Sequence, residues 1–311
     1  MSAFRDEIYA VGYRRLPGDR PRRWAPWPIA RTALALALRK RSTKITAGLC
    51  GMVFVVTGVF LVMQVIIGRL ADTMASGRNV GGFVEGAAKA VVGDTHEALS
   101  TFIGTQTFTT AILLGIALGG IIADDRRTGA FELYFSRALS RKDYIVGKLL
   151  AAAMVPTATI VVPFLLLWIA AVGIAPGEIG MELVGLVVPG LIAAVLATAM
   201  LATTLVGVSS IGERGRTIAV LYVAVFIILA SLGNGLASAG YPEAGYLAPQ
   251  RDLQTIADEL LGVGGISMTA SMLGLRNPTN PSAWISAAAL LGYSAIGFSI
   301  FFARLRKHVA G

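Results

Sequence analysis

At 311 residues, 55% of them hydrophobic and with a mean hydropathy of +0.70, the chain is too apolar for a soluble globular domain, whose apolar share runs about 45–50%. Charged residues make up only 14%, against a usual share of about 25%, and the apolar residues stand in long runs, so the class required is an integral helical membrane protein. The net charge of +9 does not point to nucleic acid, because the basic residues flank the apolar runs as topology signals do.

The first 44 residues are basic and proline-punctuated, with neither an apolar h-region nor a small-residue cleavage site, so no secretory signal is expected. Arg20-Pro21-Arg22-Arg23-Trp24 and Trp27-Pro28 precede a run that closes on Arg39-Lys40-Arg41. That pattern predicts an interfacial helix over 28–44 on the inner leaflet, with Trp24 and Trp27 at headgroup level and the arginines on anionic lipid. The alternative is a basic flank that serves topology alone.

Six runs are long enough to cross a hydrocarbon core of about 30 Å as helices. They cover Ile45–Ile67, Phe102–Ala123, Tyr144–Gly173, Leu183–Ile211, Thr217–Ala237 and Ala283–Ala303. With the N-terminus in the cytosol, the inner segments 1–44, 124–143, 212–216 and 304–311 hold 11, 5, 2 and 3 basic residues, which is 21 of the 27. The outer segments 68–101, 174–182 and 238–282 hold 5 together, so both termini are expected inside. The division is therefore a cytosolic basic segment, 1–44, and a six-helix transmembrane domain, 45–311.

Cys50, the single cysteine, reads as a small packed side chain and allows no intrachain disulfide. In the second span Gly115-Ile116-Ala117-Leu118-Gly119 permits close helix approach, either as a dimer seam or inside the bundle. Pro156 and Pro163 in the third span and Pro189 in the fourth predict kinks. Residues 238–282 exceed a simple turn. The stretch from Asp252 is helix-compatible to Leu261, and Gly262, Gly264 and Gly265 break it, so short outer or re-entrant helices are expected before the last span.

Several chemistries lack their residues. There is no Walker A motif and no GxSxG elbow. His96 and His308 fall on opposite sides of the membrane, so with one cysteine no His/Cys metal cluster forms. Asp124 and Asp125 are adjacent and point in different directions, which reads as a solvated helix end rather than an acid/base pair. Apart from Lys148, placed to snorkel, the spans carry essentially no charge, which argues against ion-coupled transport. Neither catalysis nor a cofactor is expected in this chain, and any energy for transport would come from a partner.

The loop 124–143 carries the remaining signal. Asp124-Asp125-Arg126-Arg127 ends the second span, and Thr128-Gly129 is a break with Thr128 able to cap the next helix. Ala130–Phe135 reads as a short amphipathic helix bearing Phe131, Leu133, Tyr134 and Phe135. Ser140 to Asp143 fits a capping box that launches the third span. From composition alone the loop is either an interfacial elbow or a helix seated in the groove of a cytosolic partner.

The run from Arg126 to Lys148, RRTGAFELYFSRALSRKDYIVGK, resembles the inner-loop signature of ABC-2-type transporter permeases. It departs from that signature at Ala130, where Thr or Ser is usual, and at Ala138, where Pro is usual. The resemblance implies a paired permease, homodimer or related heterodimer, in the plasma membrane of a bacterium or archaeon, carrying two cytosolic ATPase subunits that hold the ATP and Mg. It implies that Arg126, Gly129, Phe131, Glu132, Tyr134, Phe135 and Arg137 form the ATPase-facing coupling helix. It also makes helix 28–44 the connecting helix and leans toward export of an amphipathic or lipid-like cargo. A translocation path near the second and fifth spans is implied as well, with Thr105, Gln106, Thr107, Thr109, Thr110 and Asn234 as polar candidates. Threonine hydroxyls commonly bond their own preceding turn, whereas an unpaired Gln106 amide in lipid costs about 2–7 kcal/mol and needs a partner or a cavity. The rival function is a membrane anchor or scaffold of an envelope machine coupled to an ATPase.

Overall fold

Backbone groups in lipid must be bonded within their own segment, so apolar runs of this length become helices. A computed structural model describes residues 26–75, 81–130, 140–175, 177–263 and 279–309. Among the described residues six helices are long and apolar enough to cross a membrane: Arg41–Gln64, Thr95–Arg127, Lys142–Ile174, Gly180–Ser209, Gly215–Ser238 and Ala283–Arg304. The chain is a multi-pass membrane protein, all-helical among the described residues.

In chain order, α1 (Pro26–Arg39) is separated from α2 (Arg41–Ala75) by a break at Lys40. The single helix expected over 28–44 is thus two pieces. α3 (Gly81–Leu118) comes next, and a turn over 119–122 leads into the short α4 (Ala123–Arg127). Residues 68–101, read as an outer loop, are largely extensions of α2 and α3. Hydropathy marks where a helix leaves lipid, and a helix continues past that point when its residues allow it, as the alanine-rich stretch after Gly86 does.

The third span is α5 (Arg141–Pro156), a π turn (Thr157–Val161) and α6 (Val162–Ile174). The kinks expected from Pro156 and Pro163 are realised as this π turn, because a proline cannot donate to the preceding turn and an inserted residue absorbs the mismatch. α7 (Gly177–Val184) and α8 (Val187–Ser209) form the fourth span, α9 (Gly215–Ser238) the fifth. A 3₁₀ helix (Pro242–Leu247) and α10 (Pro249–Leu261) precede α11 (Ala283–Val309). Pro249 starts α10, and Gly262, at φ +67, ends it in the left-handed region.

The second span is the axis of the bundle: 72% of its most apolar window is buried, against 11% for the first span. Small residues set the crossings, as in other membrane bundles. Gly115 and Gly119 meet α9, where a Cβ on Gly119 would stand 2.6 Å from the Ala219 Cα, so this GxxxG packs inside its own bundle. Gly207 of α8 lies against the backbone of Gly297 on α11. Gly147 of α5 receives Ile29 of α1, with 2.9 Å from an added Cβ to the Ile29 Cβ.

Candidate functional site

α4 sits at one end of the bundle and is tied to several spans at once. Its adjacent carboxylates do diverge, and each has a partner. Asp125 turns to α5, where Lys148 Nζ lies 2.5 Å from its Oδ2 and the Tyr144 hydroxyl donates to the same oxygen at 2.8 Å. Lys148 also donates to the Ile121 carbonyl at 2.8 Å, and its side chain is only 6% exposed. The lysine expected to snorkel is therefore a buried ion-pair partner, because Asp125 and the carbonyl at the end of the second span give its ammonium a nearer home than the headgroups.

Asp124 turns the other way and rests against Gly215, the first residue of α9, where an added Cβ would come within 2.7 Å of its carboxylate. A negative charge there is favoured by the helix dipole. Arg126 donates to the Ser210 carbonyl at 2.9 Å and stands 3.8 Å from Glu213, an exposed partner that adds little. The backbone N–H of Ile122 donates to Ser209 Oγ at 3.0 Å, and Lys40 Nζ donates to the Ala117 carbonyl at 3.2 Å. The end of the second span is thereby fixed to the third span, to the turn between the fourth and fifth, and to the α1–α2 break.

Two loop residues behave differently from one another. Thr128, expected to cap the next helix, instead donates back to the Asp124 carbonyl at 2.9 Å and closes α4. Gly129 has φ +66, a conformation open to glycine and strained for other residues. Ser140 and Asp143 form the expected capping box: Ser140 Oγ accepts from the Asp143 N–H at 3.1 Å, and the Ser140 N–H donates to Asp143 Oδ2 at 3.4 Å. Phe131, Glu132, Tyr134, Phe135 and Arg137 lie outside the described residues.

The polar residues of the second span separate onto different faces. Thr107 and Thr109 bond their own preceding turns, Thr107 to the Ile103 carbonyl at 2.7 Å and Thr109 to that of Gln106 at 3.1 Å. Gln106 is buried and donates to the Cys50 carbonyl of α2 at 3.4 Å, while its own Oε1 has no partner. Thr110 meets Thr159 of the π turn at 2.9 Å. Since the Thr159 hydroxyl proton is engaged by the Val155 carbonyl, Thr110 is the donor.

A cavity of about 260 Å³ opens between α3, α9 and α10, lined by Thr105 and Phe108, by Ile227, Ser231 and Asn234, and by Gln250. Of the six path candidates Thr105, Gln106, Thr107, Thr109, Thr110 and Asn234, the structure brings Thr105 and Asn234 to this cavity. Both Asn234 Oδ1 and Gln250 Oε1 are buried without a hydrogen-bond partner. The cavity thus has a mostly apolar wall that includes the polar residues Thr105, Ser231, Asn234 and Gln250, which suits a molecule with an apolar body and a polar group.

Gln250 was not among the expected site residues. Its helix, α10, expected as one of the short outer or re-entrant helices before the last span, is enclosed by the bundle. Leu253 and Ile256 join one core cluster, and Ala257 and Leu261 join the other. Its polar residues are buried as well. Ser100 of α3 donates to Asp258 Oδ1 at 2.5 Å, and Gln254 Nε2 donates to Ser100 Oγ at 2.8 Å. Asn280 Nδ2 donates to Asp252 Oδ1 at 2.7 Å, and Arg251 donates to the Thr279 carbonyl at 2.7 Å. Burial pushes the Asp252 carboxyl up to about 7 against the opposing pull of Ser286, Asn280 and Arg251, and burial likewise lowers Arg251. The available signals were Pro249 at the helix start, Gly262 at its stop, and the apolar stripe Leu253, Ile256, Ala257, Leu260.

Among the described residues no group of three or more His, Cys, Asp and Glu side chains is arranged to hold a metal ion. Comparison of the chain with models of known protein families gives no match, and comparison with curated proteins gives none either.

Proposed function

We propose that the chain is the membrane-embedded permease subunit of an ATP-driven transporter of the ABC-2 type, without catalysis of its own. The observation that carries this reading is the α4 junction. A force applied to the loop after α4 would reach the third span through Asp125–Lys148 and the fourth and fifth through Arg126, Asp124 and Ser209. A rigid, multiply tied end is what a coupling element requires, since a partner's closure must be passed on as a shift between two states of one assembly. The loop residues Phe131, Glu132, Tyr134, Phe135 and Arg137 would seat in the ATPase, and Gly129 would give the chain its turn toward it.

The bias of 21 basic residues on the α4 side supports placing that end, both termini and α1 at the cytosol, in a bacterial or archaeal plasma membrane. The cavity between α3, α9 and α10, mostly apolar with polar residues in its lining, supports an amphipathic cargo, and a second copy of the chain belongs to the proposed assembly. The cavity also favours transport over a purely scaffolding role, which needs no cavity.

The test is purification of the tagged chain from its native membranes in mild detergent, followed by measurement of ATP hydrolysis in the eluate. Hydrolysis should co-purify with the native chain and be lost with Glu132→Arg combined with Phe135→Ala, while the variant keeps its thermal stability. Equal hydrolysis in both preparations, or none in the native one, overturns the reading.

A further inference from the structure

The buried polar groups of α10 have no part in coupling through α4, and one of them is placed to bind a proton. Asp252 is fully buried in the first turn of α10. Its Oδ1 accepts from Asn280, but its Oδ2 is buried with no hydrogen-bond donor. Asn280 Oδ1 is likewise buried without a donor, while Asn280 Nδ2 also reaches Ser286 Oγ of α11 at 3.2 Å. Arg251, the adjacent cation, gives its guanidinium to the Thr279 carbonyl and forms no ion pair with Asp252, though its charge still pulls the carboxyl downward. An anionic carboxylate with one bare oxygen and no counter-ion in contact among the described residues is costly away from water. A single proton removes that charge and makes the bare oxygen a donor.

We propose that Asp252, with Asn280 and Ser286, is a proton-binding site, and that its proton holds the first turn of α10 against the start of α11. Gln250, two residues earlier in the same turn, lines the cavity, so the state of Asp252 reaches the cavity wall. The site stands independently of any pairing with an ATPase.

Among the described residues, the other groups around it do not replace the proton. On α10 itself Asp258 is engaged at the far end with Ser100 and Gln254, and Glu259 is exposed. The 3₁₀ helix offers exposed Glu243 and Tyr246, whose hydroxyl accepts from the Ser282 N–H at 3.1 Å. From α11, Tyr293 donates to the Tyr246 carbonyl at 3.1 Å. On α3, Glu97 and His96 lie near Ser100 and the end of α10, away from its first turn. α8 has no titratable residue, and on α9 Tyr222 is bonded to the Leu201 carbonyl, with Arg216 at the α4 end.

With the folded carboxyl raised to about 7, its stabilising contribution is complete in acid and is lost as the pH rises through that value. The experiment is infrared titration of the full chain in lipid nanodiscs, native and Asp252→Asn, with apparent Tm followed from about pH 5 to about pH 9. A protonated-carboxyl band that titrates near neutrality and is missing from Asp252→Asn, with the fall in Tm flattened in the variant, is the expected result. A band that is the same in the variant, or one from Asp252 that titrates near the ordinary carboxyl value of about 3.9, overturns it. Should Asp252→Asn not fold, Ser286→Ala removes a neighbouring donor and should move the band's midpoint to higher pH. An unmoved midpoint overturns the proposal as well.

Discussion

At the α4 end of the bundle the buried charges are matched: Lys148 holds Asp125 at 2.5 Å and the Ile121 carbonyl at 2.8 Å. At the α10 end the buried groups are incompletely matched, with unpartnered acceptors on Asp252, Gln254, Gln250 and Asn280. The first arrangement fixes one geometry, since breaking it strands a charge in low dielectric. The second leaves acceptors that a proton or a ligand can satisfy, so it is suited to changing state. The contrast separates a rigid transmitting end from a responsive end.

The sharpest way to break this contrast is to remove Lys148. Lys148→Met leaves the partly buried Asp125 with only the Tyr144 hydroxyl, and should cost up to about 3–5 kcal/mol, read as a fall in the folded fraction after thermal challenge in detergent. A loss under about 1 kcal/mol would mean that the α4 end is no more fixed than the other.

Next in size is the crossing of α8 and α11. Gly207→Leu drives a side chain into the Gly297 backbone and should lower apparent Tm by the equivalent of about 1–3 kcal/mol or more. At the boundary of the loop, Ser140→Ala removes the capping box of α5 and should cost about 1 kcal/mol, seen as faster hydrogen exchange over its first turn.

The smallest effect belongs to the responsive end. Asp252→Asn puts a neutral group where the folded carboxyl is protonated below about pH 7 and the unfolded one is ionised above about 3.9, so near pH 6 it should cost less than about 1 kcal/mol and is expected to raise stability. A loss as large as that of Lys148→Met would show Asp252 to be a structural anion and erase the distinction between the two ends.

Much of the frame could be read from residues alone. The last span begins at Ala283 in both reading and structure, and the capping box at Ser140 stands where the Ser-x-x-Asp spacing put it. The prolines of the third span marked the place of the π turn but not its form. For the site the yield was smaller. Arg126 and Gly129 were flagged and are found in an anchored and a left-handed role, whereas Lys148 was read as snorkelling because Asp125, 23 positions away in sequence, gave no local sign of facing it. Of the path residues Thr105 and Asn234 reached the cavity, since helical phase puts Gln106 and Thr110 on faces turned to α2 and the π turn.

The sequence by itself determined the class, the number and approximate limits of the membrane-crossing helices, and the local caps, because lipid imposes length and backbone satisfaction on each segment separately. Tertiary structure alone decided the fate of the polar residues. α10 carries Arg251, Asp252, Gln254 and Asp258 and could be an outer or a re-entrant helix on composition, and the extended start of α3 and the start of α11 close over it. A buried polar group is stable only where donors and acceptors from distant segments converge on it. That convergence is a property of packing, which no local stretch of sequence contains.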